Sequence, residues 1–447
     1  MKINTLNTKL LNTLIFFLLI QIIFVTCKKD TQTSLNTNSF GTLFGYGSEH
    51  FLSNIIKTSD QHYLICGTTI EGTNGMYDGF VMKVDENFNT LWYKNFGGAK
   101  EDYFNSMVLD NDGNIMLAGH SNSFGVSADS ALIQSNTLFY LVYCDKNGNK
   151  IWDKTLQANP DSLNYRNRTS KVVYLKNHTF CITGNTENFT FNPAGTSFNY
   201  TVNYAFGIDK QSKIIWEKVL YKAPVSLLQP SVGDENDNYC QNSTVTADGN
   251  IILLNQGRDI NMKPYWDLIK FIPGDTAFST NRFIWRSKPI FDFISPQVIT
   301  YNNNPNINFN VVPMLTASGS KTLIADMING GLIMTNENGE FEKKIGFQKP
   351  MSNIWMSKDG DKIMVVGKYL SNGSRKPCWA ILNTDGIVLE QIYSDWDQGT
   401  GNQISLFRMF EGKAGELIGI GKLQSPLGSS IIMLKFDHLG NLIKQGL

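Results

Sequence analysis

The sequence predicts an all-β protein built from repeats, and three observations carry that expectation. Beyond residue 39, short apolar runs alternate with polar turns. Aromatic residues at 12%, together with 38 glycines, suit many short strands and tight turns. Most directly, two hairpin motifs recur along the chain.

The first motif is a strand, a polar turn and a second strand carrying a tryptophan. It runs from Asp85 through Trp92 to Lys94, again from Asp145 through Trp152 to Lys154, and again from Asp209 through Trp216 to Lys218. Each time tryptophan follows aspartate by seven residues and lysine follows by two more. An aspartate at the head of a turn holds it by accepting backbone N–H bonds. The second motif lies upstream of the first: a polar turn, an apolar strand and a closing glycine. Its copies are Thr58 to Gly67, Asp110 to Gly119 and Leu175 to Gly184. Two hairpins per unit make a four-stranded module.

Later copies are degraded but traceable. Thr246 to Leu254, with the segment through Trp285, forms a fourth; Ala317 to Ile324, with Asn336 to Gly339, a fifth. Ser357 to Gly367 with Asn383 to Gly386 forms a sixth, and Glu411 to Gly421 with Asp437 to Asn441 a seventh. Gly67 and Gly421 lie 354 residues apart over six intervals, about 59 per repeat, against the roughly 40–50 of compact repeats. The excess falls mostly between second and third strands, as from Ser121 to Asn136 and from Glu187 to Asn203. Such insertions crowd one face of the array, often the binding one. The expected architecture is a seven-bladed β-propeller over residues 40–447, with six or eight blades as the alternatives.

Closure and packing follow from the same patterns. The last copy stops short of a full final strand, while Phe40 to Gly47 offers one, so this segment is expected to complete the last blade and hide its edge. Lys83 alternates with Met82 and Val84, as in a half-buried strand, whereas Leu138 to Cys144 is apolar on both faces, as between neighbouring blades. Trp92, Trp152 and Trp216 are expected to join blade to blade, since burying a large side chain is worth about 1.5–3 kcal/mol.

These motifs resemble the β-propeller repeat proteins abundant among the exported proteins of Bacteroidota. More distantly they are similar to quinoprotein-like propellers and to the propeller lipoprotein of the outer-membrane barrel-assembly machinery. The resemblance spans nearly all of residues 40–447. It implies a fold and leaves function open, because one fold hosts many functions.

The first residues are expected to direct export. Lys2 and Lys9 precede an apolar stretch from Leu10 to Val25, too short for comfort as a membrane span, which takes about 20 residues. The segment resembles a bacterial lipoprotein signal, which implies a signal peptide over 1–26, lipidation at Cys27 and a polar tether over 27–39. The expected location is the cell envelope, as an outer-membrane lipoprotein facing the periplasm or the exterior. Five further cysteines, Cys66, Cys144, Cys181, Cys240 and Cys378, show no paired spacing, and the four other than Cys240 sit in strand-like apolar runs as small hydrophobes.

Charge and motifs narrow the function. With 39 basic and 39 acidic residues there is no electrostatic case for nucleic acid. The five histidines are scattered, His62, His178 and His438 in expected turns, and no spacing suggests a metal or a cofactor. Asp110 to Asn114 and Asp145 to Asn149 resemble the start of a calcium loop. They lack its twelfth-position glutamate, Ser121 and Leu156 standing there, so hairpin turns are expected. Gly97 and Gly98 are expected to serve a turn. Aromatic insertions offer candidate ligand contacts at Phe189, Phe191, Tyr200, Tyr265, Trp266 and Tyr301, since rings beside amides suit sugars or extended peptides. The expectation is a membrane-anchored binding or assembly scaffold for an envelope protein or glycan. The alternative is a glycan-active hydrolase or lyase, which predicts a central funnel with clustered carboxylates and basic residues.

Overall fold

The computed structural model describes residues 42–44, 49–70, 76–124, 137–158, 165–191, 197–221, 239–258, 264–274, 284–286, 311–316, 319–326, 331–347, 351–356, 361–371, 374–394, 403–425 and 428–443. Among the described residues, twenty-eight strands form seven four-stranded antiparallel sheets arranged as a ring, a seven-bladed β-propeller. Strand β1 (Thr42–Phe44) belongs to the last blade. Blade 1 comprises β2 (His50–Lys57), β3 (Tyr63–Thr69), β4 (Asp78–Val84) and β5 (Thr90–Phe96). Blade 2 comprises β6 (Asp102–Leu109), β7 (Ile115–Ser121), β8 (Leu138–Cys144) and β9 (Lys150–Leu156). Blade 3 comprises β10 (Tyr165–Tyr174), β11 (Phe180–Phe191), β12 (Ser197–Ile208) and β13 (Ile214–Tyr221). Blade 4 comprises β14 (Tyr239–Val245), β15 (Ile251–Arg258), β16 (Pro264–Phe271) and β17 (Trp285–Arg286). Blade 5 comprises β18 (Val311–Thr316), β19 (Gly319–Asp326), β20 (Gly331–Thr335) and β21 (Phe341–Gly346). Blade 6 comprises β22 (Met351–Met356), β23 (Lys362–Ser371), β24 (Ser374–Asn383) and β25 (Val388–Tyr393). Blade 7 comprises β26 (Gln403–Glu411), β27 (Leu417–Ser425), β28 (Gly428–Phe436) and the returning β1.

Closure occurs as the sequence suggested. Thr42, Leu43 and Phe44 pair with Met433, Ile432 and Ile431, so β1 covers the open edge of β28. From blade 1 to blade 7, first strands of successive blades touch one another and so are innermost. Between blades 7 and 1 an Arg408 Nη1 donates to Ile55 O at 2.7 Å. The core is divided among the blade interfaces. Phe80, Tyr63 and Met82 pack with Ile420 and Met433 between blades 1 and 7, and Phe139, Phe180 and Phe206 lie between blades 2 and 3.

The repeated motif acts between blades. At the turn heading β5, Asp85 Oδ1 accepts the N–H groups of Asn87 and Asn89, both at 2.8 Å. Asp110, Asp145, Asp209, Asn336, Asn383 and Asp437 repeat that pattern, each accepting from the second and fourth residue beyond it. These are hairpin turns, as expected for the two stretches that resemble calcium loops. The tryptophan of one blade then rests on the turn of the next. Trp152 Nε1 donates to Lys210 O at 2.8 Å, and Lys154 Nζ to Ser212 O at 2.8 Å. Trp92 lies against Gly148, where a methyl would come within 2.8 Å of its ring, and Trp216 sits 3.7 Å from the Cβ position of Gly274. Trp216 is buried, while Trp92 and Trp152 are half-buried against the interface clusters.

The five described cysteines are all buried and free of disulfides. One expectation differs. The stretch Glu187 to Asn203 is largely strand, because β11 and β12 run on as a long hairpin with Phe191 opposite Ser197.

Candidate functional site

The strand order sorts the two faces of the ring. Turns joining first to second and third to fourth strands leave from one face, here the turn face. Connections from second to third strand, and from blade to blade, leave from the other, the loop face. The regular Asx turns therefore crowd the face opposite the variable segments.

A recurring irregularity shapes the loop-face end of the inner strands. Six of the seven shift register, between Leu52 and Asn54, Phe104 and Ser106, Thr169 and Lys171, Cys240 and Asn242, Met351 and Asn353, and Leu406 and Arg408. In such a β-bulge two residues oppose one, which bends the strand and re-aims its side chains. The closing glycine of the repeat pairs with the residue before the bulge in blades 1, 2, 3, 6 and 7, whereas Asn255 stands there in blade 4. A methyl at Gly119 would lie 1.6 Å from Tyr103 O, and Gly67 and Gly421 stand in the same relation to Phe51 O and Ser405 O. Beneath those three carbonyls only a residue without Cβ fits.

One step toward the loop face, the paired residues are Phe51 with Thr68, Tyr103 with His120, Arg168 with Asn185 and Ser405 with Lys422. They assemble an arc around the channel mouth. Lys422 Nζ stands 5.1 Å from the Phe51 ring centre. Phe51 meets Tyr77 edge-on at 6.1 Å, Tyr77 stacks on Tyr103 at 6.0 Å, and Tyr103 stacks on His120 at 4.8 Å and 14°. Arg168 ends the arc on blade 3. The order is cation, four rings, cation, and all six side chains are partly exposed. On the far side Lys368 Nζ donates to Ser405 Oγ at 3.2 Å.

Polar partners complete the mouth. Tyr77 OH donates to Glu49 Oε2 at 2.7 Å, and this bond raises the phenol pKa above its ordinary value. Burial raises that of Tyr103 further, with Glu101 adding to the effect. Burial drives the His120 imidazole down to about 3, with the Arg168 guanidinium acting in the same direction, so His120 is neutral at physiological pH. Its Nδ1 is buried and makes no hydrogen bond within the described protein. Burial also lowers the Lys422 ammonium, against the pull of Glu49.

Beneath the arc, Asp102 ties blade 1 to blade 2. Its Oδ2 accepts from Gly98 N at 2.7 Å and from Ser123 Oγ at 2.6 Å. A methyl at Gly97 would touch two carboxylates, 2.1 Å from Asp78 Oδ1 and 2.8 Å from Asp102 Oδ2. Gly97 and Gly98, expected as turn glycines, thus make room for this latch. Asp78 and Asp102 are 2% and 0% exposed, so this close pair does not meet a substrate as a glycosidase pair would.

The candidates taken from the sequence do not form this site. Phe189, Phe191 and Tyr200 lie on the β11–β12 hairpin and Tyr265 on β16, and their side chains fall outside the described residues, as do Tyr301 and Cys27. Trp266 is described, and it is buried. Among the described residues no cluster of histidine, cysteine, aspartate or glutamate is arranged to hold a metal. The arc leaves no local mark in the sequence, because Tyr77, Tyr103 and His120 are scattered along it. The available signal was position: Thr68, His120, Asn185, Lys368 and Lys422 each follow a repeat glycine.

No family model matches the chain, and no curated protein matches it. Solved structures similar to it include a polysaccharide lyase described as an ulvan lyase, at 10% identity and a TM-score of 0.48, covering 91% of this chain and 98% of that one. Polysaccharide lyase Uly1 is similar at 10% identity and 0.47, covering 86% and 90%. A protein of unknown function from Dyadobacter fermentans is similar at 15% identity and 0.43, covering 73% and 93%. The chain shares with them no more than an arrangement of strands.

Proposed function

We propose that the protein binds an acidic glycan across the loop-face mouth of its channel. The observation that carries this is the arc of Phe51, Tyr77, Tyr103 and His120, bounded by Arg168 and Lys422. Ring edges supply apolar contact for sugar C–H groups, while hydroxyls, carboxylates and cations fix orientation. Glu49 already accepts from a tyrosine, so the flanking cations are what remains to pair with a ligand's charge. The test is titration of the purified protein with acidic and neutral oligosaccharides. Acidic chains are expected to bind with an affinity that falls with salt, and Tyr103→Ala and Arg168→Ala are each expected to weaken binding about tenfold or more, equivalent to ~1.4 kcal/mol. Binding indifferent to both substitutions, or none at all, refutes the reading.

A second reading is favoured by one observation: an imidazole stacks on a phenol beside a guanidinium, and a bound anion that offsets the guanidinium would raise the imidazole toward the range in which it accepts a sugar's proton. It predicts turnover, read as the ultraviolet absorbance of an unsaturated product or as new reducing ends. Either signal, lost in His120→Asn, replaces simple binding. We also propose that a lipid on Cys27 holds the propeller at the cell envelope. Cys27→Ser is then expected to move the protein from the membrane to the soluble fraction, and an unchanged distribution refutes the anchor.

A further inference from the structure

Deeper in the channel, the seven inner strands carry acidic residues only at their ends, Asp102 beside the loop face and Glu411 beside the turn face. Midway lie two cations. Lys171 on β10 and Arg408 on β26 occupy the same register, each the residue that follows its bulge. They belong to blades 3 and 7, which the channel separates, and the Arg408 guanidinium acts on the Lys171 ammonium, so they face one another across it. One Arg408 nitrogen, Nη1, donates to Ile55 O at 2.7 Å. The remaining donors of Arg408, and all those of Lys171, reach no acceptor among the described residues. Both side chains are mostly buried. Two facing, desolvated like charges are costly unless something of opposite sign lies between them.

We propose that the mid-channel is an oxyanion site, in which a sulfate-, phosphate- or carboxylate-class group is held between Lys171 and Arg408. A guanidinium presents paired donors that match two oxygens of such a group, and the ammonium adds a point charge opposite. The neighbours at the same register are neutral. Asn54 Nδ2 donates to Met107 O at 3.2 Å, and Ser106 Oγ accepts from Val172 N at 3.2 Å. Burial already pushes the Lys171 ammonium down to about 8 and the Arg408 guanidinium down to about 10, a cost that a bound anion removes.

The test is calorimetric titration of the purified protein, at constant ionic strength, with sodium sulfate, sodium phosphate and a short uronate oligosaccharide in separate arms. Saturable binding of the inorganic ions identifies a resident ion. Binding of the oligosaccharide alone identifies an acidic group delivered by a sugar chain. Either supports the site provided that Lys171→Gln and the apolar Lys171→Met both weaken binding tenfold or more. In anion-free buffer Lys171→Met is also expected to raise the melting temperature, because it removes the repulsion, which keeps the test open should Lys171→Gln fold poorly. No saturable binding in any arm, or equal affinity in the Lys171 variants, overturns the proposal. Tyr103→Ala leaves the inorganic arms unchanged, which separates failure here from failure at the mouth.

Discussion

Replacing Gly119 by alanine is expected to be far more damaging than replacing Gly113, although the two lie six residues apart on one hairpin. At Gly113 the backbone is left-handed, φ +80°, and a methyl would meet nothing within 4 Å. The cost there is conformational alone, about 1 kcal/mol. At Gly119 the methyl would lie 1.6 Å from Tyr103 O, 2.6 Å from Tyr103 C and 2.9 Å from Phe104 Cα. All three are backbone atoms, so no rotamer change relieves the clash, and β6 must move away from β7. Overpacking of this kind costs roughly 3 kcal/mol or more. Because Tyr103 and His120 are register partners at this crossing, the displacement should also open their stack. Denaturant unfolding of both variants measures the stabilities, and glycan titration of whatever folds measures the mouth. If Gly119→Ala shifts the unfolding midpoint no more than Gly113→Ala, the close approach of Tyr103 O does not explain the glycine at this position.

Two other predictions concern the tryptophan contact between blades and the mouth. Trp152→Ala removes a half-buried ring and its bond to Lys210 O and should cost about 2–3 kcal/mol; Trp152→Phe keeps the ring contact and should cost about 1 kcal/mol. Equal losses in thermal or chemical unfolding would mean that the ring does not join blades 2 and 3. His120 stays neutral in the fold down to about 3, against an ordinary 6.5. Between those values the unfolded chain holds the extra proton, so stability falls as pH falls, by at most about 1.4 kcal/mol per pH unit. His120→Asn should flatten that limb of the stability–pH curve. The steeper loss at lower pH should remain, since turn aspartates such as Asp145, held below the ordinary carboxylate range by the Asn149 hydrogen bond, titrate there. Parallel curves for the two proteins between pH 6.5 and 4 would refute the assignment.

The blades were legible in the sequence because their signals are local. An aspartate that accepts two N–H groups within four residues, as Asp145 does from Asn147 and Asn149, leaves a mark that needs no knowledge of the partner strand. The tryptophans were legible as packing residues for a similar reason, although their acceptors in the next blade, such as Lys210 O, were not. The return of β1 to β28 was legible from a missing strand at one end and a spare one at the other. The mouth was not legible. Tyr77 and Tyr103 lie 26 residues apart, and nothing in either neighbourhood announces their stacking, which depends on the angle between two blades. The aromatic insertions drew attention because rings there are dense in sequence, yet Trp266 is buried.

That contrast says where a repeat propeller can hold a function. The turn face is constrained twice, by the Asx geometry within a blade and by the tryptophan or lysine arriving from its neighbour, so its residues are repeated. The bulge is constrained as well, since the carbonyl before it admits only glycine on the paired strand in blades 1, 2, 3 and 7. The residue after that glycine is under neither restriction. Thr68, His120, Asn185, Lys368 and Lys422 stand there; Thr68 and Asn185 are buried, while His120, Lys368 and Lys422 are partly exposed at the mouth. Variation confined to one register of a repeat is therefore a positional signal of a site. In this chain that register carries one imidazole and two ammonium groups, which is the physical ground for looking for an acidic ligand at the mouth.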